Sequence, residues 1–217
     1  MKRAAARSET QKELEAFWAG EFGDSYVDRN RSERMLASNL GLFSRALSRT
    51  RRVRSVVEFG ANIGMNLRAI RQLLPEAELS AVEINEKAVR ELRSLGYVQV
   101  SKGSLYEFTP KKRYDLVLVK GVLIHLDPAS LPQVYEILHQ STERYLLLGE
   151  YYSPTPAEVS YRGHPKKLFK RDFAGELLER YPDWHLLDYG FVYRLDPVLP
   201  ADDIHWFLLE KGGRSWE

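Results

Sequence analysis

The stretch Val56-Val57-Glu58-Phe59-Gly60-Ala61-Asn62-Ile63-Gly64 constrains this chain more than any other. β-Branched residues lead into an acidic residue, glycines follow at a spacing of four, and a helical pattern begins near Met65. That order reads as a buried first strand, a tight turn and a helix N-terminus, the place where an α/β sheet receives a nucleotide-like ligand. Gly60 lets the chain turn with backbone angles other residues avoid, and Gly64 lets the helix pack closely on the strand. A plain strand-to-helix loop would look the same, so the turn needs a second signal. Leu79 to Ile84 supplies it: a second strand with Glu83 at its end, whose carboxylate can accept both hydroxyls of an adenosine ribose.

What the loop lacks selects among adenosine ligands. In a dinucleotide site the middle glycine lets the backbone approach a pyrophosphate; here that position is Asn62, and Glu58 sets a negative charge beside the loop. Both disfavour a diphosphate. S-adenosylmethionine, with a sulfonium and an ammonium that Glu58 would attract, suits the loop better, its backbone contacts coming from Gly60, Ala61, Asn62 and Gly64. No P-loop motif occurs.

Composition narrows the remaining chemistry. The chain has 217 residues, 44% of them hydrophobic, enough for one substantial core. It has no cysteine, which excludes disulfides, thiolate metal sites and a cysteine nucleophile, and its five histidines show no metal-ligand spacing. We expect no metal. A net charge of +2 gives no argument for nucleic acid, and Arg45, Arg49, Arg51, Arg52 and Arg54 read as a solvated helix end and loop. No apolar run follows Met1-Lys2-Arg3 and no stretch approaches a membrane span, so the expected location is cytoplasmic.

Taken in order, Thr10-Gln11-Lys12-Glu13 fits a capping box for a first helix that ends at Gly20. The aromatics Phe17, Trp18, Phe22 and Tyr26, with Arg29 and Asn30, read as a lid over the cofactor or as a packing arm. A further helix starts near Ser32 with Met35, Leu36, Leu40, Phe43 and Leu47 on one face. Past the glycine turn, strands and helices alternate, which implies a doubly wound parallel sheet with Tyr114 to Val119 as its central strand. Ser104 and Leu105 follow the third strand and border the expected adenine position, while Lys120 to His125 lies across from the glycine turn. Asp127-Pro128 and Asp172 open the next helices. Between about 151 and 171 runs a turn-rich, basic and aromatic insertion, and two antiparallel strands, Leu186 to Val192 and Ile204 to Glu210, close the chain.

These residues together resemble the class I S-adenosylmethionine-dependent methyltransferases over residues 50 to 210, through Glu58-x-Gly60-x-Asn62-x-Gly64, Glu83 and Tyr114 to Leu126. Asn62 stands where that family usually has glycine. More narrowly, the chain is similar to the methylases associated with pseudaminic acid biosynthesis. The segments that carry this likeness include Phe17-Trp18-x-Gly20-Glu21-Phe22-Gly23, Lys120-Gly121-Val122-Leu123-Ile124-His125, Glu150-Tyr151-Tyr152, Tyr161-Arg162-Gly163-His164 and Leu168 to Glu176. The resemblance implies an α/β Rossmann-like, doubly wound sheet of seven strands, the last antiparallel. Helices would cover both faces, with residues 1–49 as an N-terminal helical arm on a domain of 50–217. It also implies S-adenosylmethionine as cofactor, S-adenosylhomocysteine as product, and a carbohydrate or amino-sugar acceptor.

For the chemistry, His125 is the first candidate base because its strand end faces the transferred methyl, with Tyr151, Tyr152 and His164 behind it; a structural histidine capping the Asp127 helix is the competing reading. Arg162, Lys170 and Arg171 suit an anionic acceptor such as a sugar acid or nucleotide-linked sugar. Two other functions stay open on the sequence: a nicotinamide-dependent oxidoreductase, and a catalytically silent protein that keeps the cofactor pocket. The expected partner is a small molecule, on a monomer or homodimer.

Overall fold

The computed structural model describes residues 7–29 and 31–212. Asn30 and the basic start Met1-Lys2-Arg3 lie outside the described residues. In chain order the elements are α1 (Glu9–Ala19), α2 (Glu21–Arg29), α3 (Glu33–Leu47), β1 (Ser55–Phe59), α4 (Met65–Leu73), β2 (Glu78–Glu83), α5 (Glu86–Ser94), β3 (Val98–Lys102) and β4 (Tyr114–Lys120). There follow α6 (Leu131–Ser141), β5 (Thr142–Glu150), β6 (Ala157–Tyr161), β7 (His164–Lys170), α7 (Phe173–Arg180), β8 (Trp184–Val192) and β9 (Ile204–Lys211).

Seven strands form one sheet in the order β3-β2-β1-β4-β5-β9-β8. The first five run parallel, and β9 is antiparallel to both its neighbours. Alternation along each strand builds a core on either side. Val57, Phe59, Val117, Val119 and Leu148 pack toward α6 and α7 through Leu131, Val134, Leu138 and Leu177. Val56, Leu116, Leu118 and Leu147 pack the other way, against Phe43 and Ala46 of α3 and Leu67 and Ile70 of α4. Each such side chain contributes about 1.5 to 3 kcal/mol by leaving water, so β1 and β4, buried on both faces, anchor the sheet.

The N-terminal cap is not where the sequence pattern puts it. Ser8, rather than Thr10, caps α1: its hydroxyl accepts the Gln11 N–H at 2.9 Å and donates to Asp127 at 2.6 Å. Ser8-x-x-Gln11 fits the same local pattern two residues earlier, and the bond to Asp127 goes with that choice. Helix α2 is also absent from the sequence reading, and Gly23 explains both facts. The residue weakens helix propensity, yet a Cβ there would stand 1.9 Å from the Trp18 carbonyl oxygen, so only glycine allows α2 to fold back on α1. The insertion after β5 is a hairpin rather than irregular chain. Arg162 (φ 49°) and Gly163 (φ 85°) form its two-residue turn, both in the left-handed region that such turns require.

Candidate active site

Where strand order reverses between β1 and β4, the carboxyl ends of the strands open into a cavity of about 400 Å³. Its base is the loop after β1. Gly60 and Ala61 donate to the Val82 carbonyl at 2.8 and 3.4 Å, which folds the loop across β2. Gly60 has φ +70°, and a Cβ there would meet Val122 Cγ2 at 2.5 Å. Asn62, at φ 47°, occupies the left-handed region that asparagine tolerates. Gly64 sits behind the cavity as the N-cap of α4, where a Cβ would press Leu92 Cδ2 at 2.9 Å. Its role is therefore helix packing.

Glu83 ties this loop to the start of α5. One carboxylate oxygen accepts the Asn62 N–H and the other the Asn85 N–H, both at 2.7 Å. Burial raises its pKa against those two donors. Because each oxygen has a second lone pair and the residue lines the cavity, the carboxylate can still accept from a ligand's hydroxyls. Asn85 caps α5 through Ala88 N–H and donates to Asp24 at 2.9 Å, connecting the arm to the same corner. Ser104 and Leu105 line the wall beyond Glu83.

Behind the loop, Glu58 is fully buried and does not line the cavity. One of its oxygens accepts from the Asn66 amide at 2.6 Å; the other has no hydrogen-bond partner among the described residues. Desolvation pushes its carboxyl up to about 8, so at neutral pH it is largely an acid, not the anion beside the loop that the sequence suggested. Glu150 is similar: one oxygen takes the Val122 and Leu123 N–H groups at 3.0 Å, and burial pushes it up to about 7. Lys120 lies between these acids and the cavity, its pKa lowered by burial against the pull of Glu58, Asp202 and Glu150.

The roof combines arm and hairpin. Trp18 and Tyr26 meet edge to face at 5.4 Å, and the His125 ring lies 4.6 Å from Trp18 and 4.7 Å from Tyr161. All four, with Tyr151, line the cavity. His125 Nδ1 is 2.6 Å from the Lys167 carbonyl of β7. A carbonyl only accepts, so Nδ1 carries the proton and Nε2 keeps its lone pair. Burial depresses the imidazole to about 4, leaving it neutral over the physiological range.

Several expected site residues stand elsewhere. Arg29 is exposed, over the Phe22 and Tyr26 rings at 5.6 and 5.8 Å, outside the cavity lining. His164 packs on Phe17 and Phe22 outside the chamber. Tyr152 points away from Tyr151, because neighbours in extended chain project to opposite sides, and joins His205 and Phe207. Arg171 is engaged by Glu176 at 2.6 Å. Arg162 and Lys170 occupy the rim, 5.7 Å over the Tyr161 ring and 5.4 Å over the Tyr151 ring. Conversely, Ser38 and Asn39 of α3 and Asp202 of the β8–β9 connection line the cavity without any sequence signal. They arrive from segments with no motif of their own. Among the described residues there is no metal-ligating cluster, and no helix is long and apolar enough to cross a membrane.

No family model and no curated protein matches the sequence. Solved structures do. The Burkholderia thailandensis 1,6-didemethyltoxoflavin-N1-methyltransferase, with bound 1,6-didemethyltoxoflavin and S-adenosylhomocysteine, superposes with TM-score 0.70 at 17% identity over 96% of this chain and 93% of its own. The fold is that of the class I methyltransferases. The plantazolicin methyltransferase BpumL, in complex with a pentazolic desmethylPZN analog and S-adenosylhomocysteine, gives 0.62 at 15% identity over 95% of this chain and all (100%) of its own. The glycopeptide N-methyltransferase MtfA with S-adenosylhomocysteine also gives 0.62 at 15%, over 89% and 98%. At such identities the likeness is one of architecture, and the site has to be argued from its residues.

Proposed function

We propose that the protein is an S-adenosylmethionine-dependent methyltransferase acting on a small polar acceptor. The observation that carries this reading is Glu83: a buried carboxylate on the cavity wall, fixed by the backbone of the Asn62 loop on one side and of Asn85 on the other. That pairing suits a ribose diol, and the loop beside it offers neither a third glycine nor a cation for a pyrophosphate. Similar structures with bound S-adenosylhomocysteine support the same cofactor.

Gly60, Ala61, Asn62, Glu83, Ser104 and Leu105 would hold S-adenosylmethionine, which would supply an electrophilic methyl group to the acceptor's lone pair with S-adenosylhomocysteine as the leaving product. The chain's contribution is mainly positioning. Trp18 and Tyr26 on the arm exclude water from above, and the described part of the arm, residues 7–29 and 31–49, acts as a lid on the domain that follows. The acceptor's proton passes to Nε2 of His125, held in the accepting tautomer by the Lys167 carbonyl. Arg162 and Lys170 on the rim receive an anionic part of the acceptor, which fits the resemblance to pseudaminic-acid-associated methylases and an acceptor such as an amino sugar or nucleotide-linked sugar.

Calorimetric titration with S-adenosylmethionine and, separately, NADH tests the cofactor. Glu83→Ala should weaken S-adenosylmethionine binding by ~1 to 3 kcal/mol, roughly ten- to a hundredfold. Absence of binding to the wild type, or a preference for NADH, would refute the reading.

A further inference from the structure

We propose that Glu15 of the arm reads the exocyclic amino group of the cofactor's adenine, so that the site takes adenosine ligands and refuses those with a 6-oxopurine base. The inference rests on S-adenosylmethionine being the cofactor. With the ribose at Glu83 and the methyl group near His125, the base extends the other way, toward β3. Glu83 ends β2, and its register partner is Lys102 at the end of β3, the outer strand of the sheet on that side. Gly103 N–H donates to the Glu83 carbonyl at 2.9 Å, which leads the chain into Ser104, Leu105 and Tyr106, the cavity wall beyond the ribose. That wall is short of side-chain acceptors for the edge of a base: Leu105 is apolar, and the Ser104 oxygen already accepts the Tyr106 N–H at 3.2 Å.

Helix α1 supplies the acceptor. It is fastened over this wall: Ser8 donates to Asp127 at 2.6 Å, the Ser130 hydroxyl donates to Gln11 at 3.3 Å, and the Gln133 amide donates to the Tyr106 carbonyl at 3.0 Å. Leu14, Glu15 and Trp18 thereby turn one face of α1 to the cavity. Burial raises the Tyr106 phenol above its ordinary pKa, and the charges of Asp127 and Glu15 add to the rise, which sets Glu15 at the Tyr106 end of the wall. One Glu15 oxygen accepts from Arg7 at 3.0 Å, and Arg7 also pairs with Glu107, two residues past Leu105. The carboxylate is thus oriented from outside. Its other oxygen is buried and has no hydrogen-bond partner among the described residues. A buried acceptor without a donor is destabilising, and a ligand that brings a donor relieves it. The adenine of a nucleoside has one N–H donor group, the amine at C6. A 6-oxopurine sets an oxygen lone pair at that place, acceptor against acceptor.

Calorimetry with S-adenosylhomocysteine and with S-inosylhomocysteine, the same ligand with oxygen in place of the amine, tests this. The wild type should bind the inosyl ligand at least ~30-fold more weakly. Glu15→Gln, whose amide can turn its NH2 to the 6-oxygen, should bind the inosyl ligand more tightly than wild type does and narrow the ratio at least ~10-fold. Glu15→Ala should narrow it by losing affinity for the adenosyl ligand. Glutamine and alanine both favour helix, and a tighter inosyl complex is a result that a loosened arm would not produce. Equal affinities of the wild type for the two ligands overturn the proposal while the cofactor assignment stands, and so does a ratio unchanged in both variants. A wild type that binds neither ligand refutes the cofactor assignment and this inference with it. Should both variants fail to fold, Glu15→Asp, which withdraws the carboxylate by one methylene, takes their place: a narrowed ratio is expected, and an unchanged one overturns the proposal.

Discussion

Gly60→Ala tests whether the loop after β1 is shaped by its glycine or merely contains one. The added methyl meets two separable penalties. Holding alanine at φ +70° costs about 1 to 2 kcal/mol, since the Cβ crowds its own carbonyl. The same methyl would stand 2.5 Å from Val122 Cγ2 and 3.3 Å from Cγ1, so rotating the valine exchanges one clash for another; overpacking of this kind costs about 1 to 3 kcal/mol. The sum, about 2 to 5 kcal/mol, corresponds to a melting temperature lower by roughly 4 to 20 °C at this chain length. Val122→Ala removes the second penalty and leaves the first, so Gly60→Ala/Val122→Ala should recover ~1 to 3 kcal/mol relative to the sum of the single changes. Denaturant titration of the four proteins gives the cycle, and S-adenosylhomocysteine calorimetry shows whether affinity follows. A Gly60→Ala protein as stable as wild type, or a cycle with no coupling, would show that the loop yields freely and that the argument from close approach is wrong.

Three further outcomes follow from the buried groups. Glu58 is raised from 4.5 to about 8 in the folded chain, so the stability present below its ordinary pKa is lost as pH climbs through about 8. Glu58→Gln should therefore lose less stability than wild type between about pH 5 and pH 9, and parallel denaturation curves would contradict the raised pKa. His125 is depressed from 6.5 to about 4, so its contribution is full above its ordinary pKa and lost as pH falls through about 4. His125→Gln should flatten that acid limb and lower kcat by about 10²- to 10⁴-fold with little change in S-adenosylmethionine affinity; an unchanged kcat would return His125 to a structural role. Asn85→Asp keeps the cap on α5 but sets a second carboxylate against Asp24. Hydrogen exchange in α1 and α2 should then quicken while the sheet stays protected, and equal protection would mean that this bond does not hold the arm.

The parts of the molecule legible from sequence are those whose physics is local. Strand β1, its turn and α4 announce themselves because the apolar run, the left-handed glycines and the helix start follow one another without interruption. Glu83 is legible because strand ends in such a sheet converge, whatever the loops do. Three kinds of fact escaped. Helix α2 contradicts its own propensity and exists because Gly23 admits the Trp18 carbonyl. Glu58 reads in the motif as a charge beside the ligand, yet whether a carboxyl faces the ligand or the core is decided by Asn66, Lys120 and the depth of β1, none of which a spacing reveals.

The third kind concerns neighbours whose side chains diverge. Tyr151 and Tyr152 carry the same chemistry at adjacent positions, but extended chain sends one into the cavity and the other to the outer aromatic face. The basic run of the hairpin divides as well: the Lys167 carbonyl orients His125, Lys170 lies over Tyr151, and Arg171 is neutralised by Glu176. A composition argument treats that run as one anion site, whereas the fold uses it as a backbone acceptor, a rim cation and a structural ion pair. For the proposed chemistry at His125, the hairpin's most consequential atom is a carbonyl oxygen, a group every residue possesses. Substituting the lysine side chains would miss it, while shifting the β7 register by one residue would remove the acceptor that fixes the His125 tautomer.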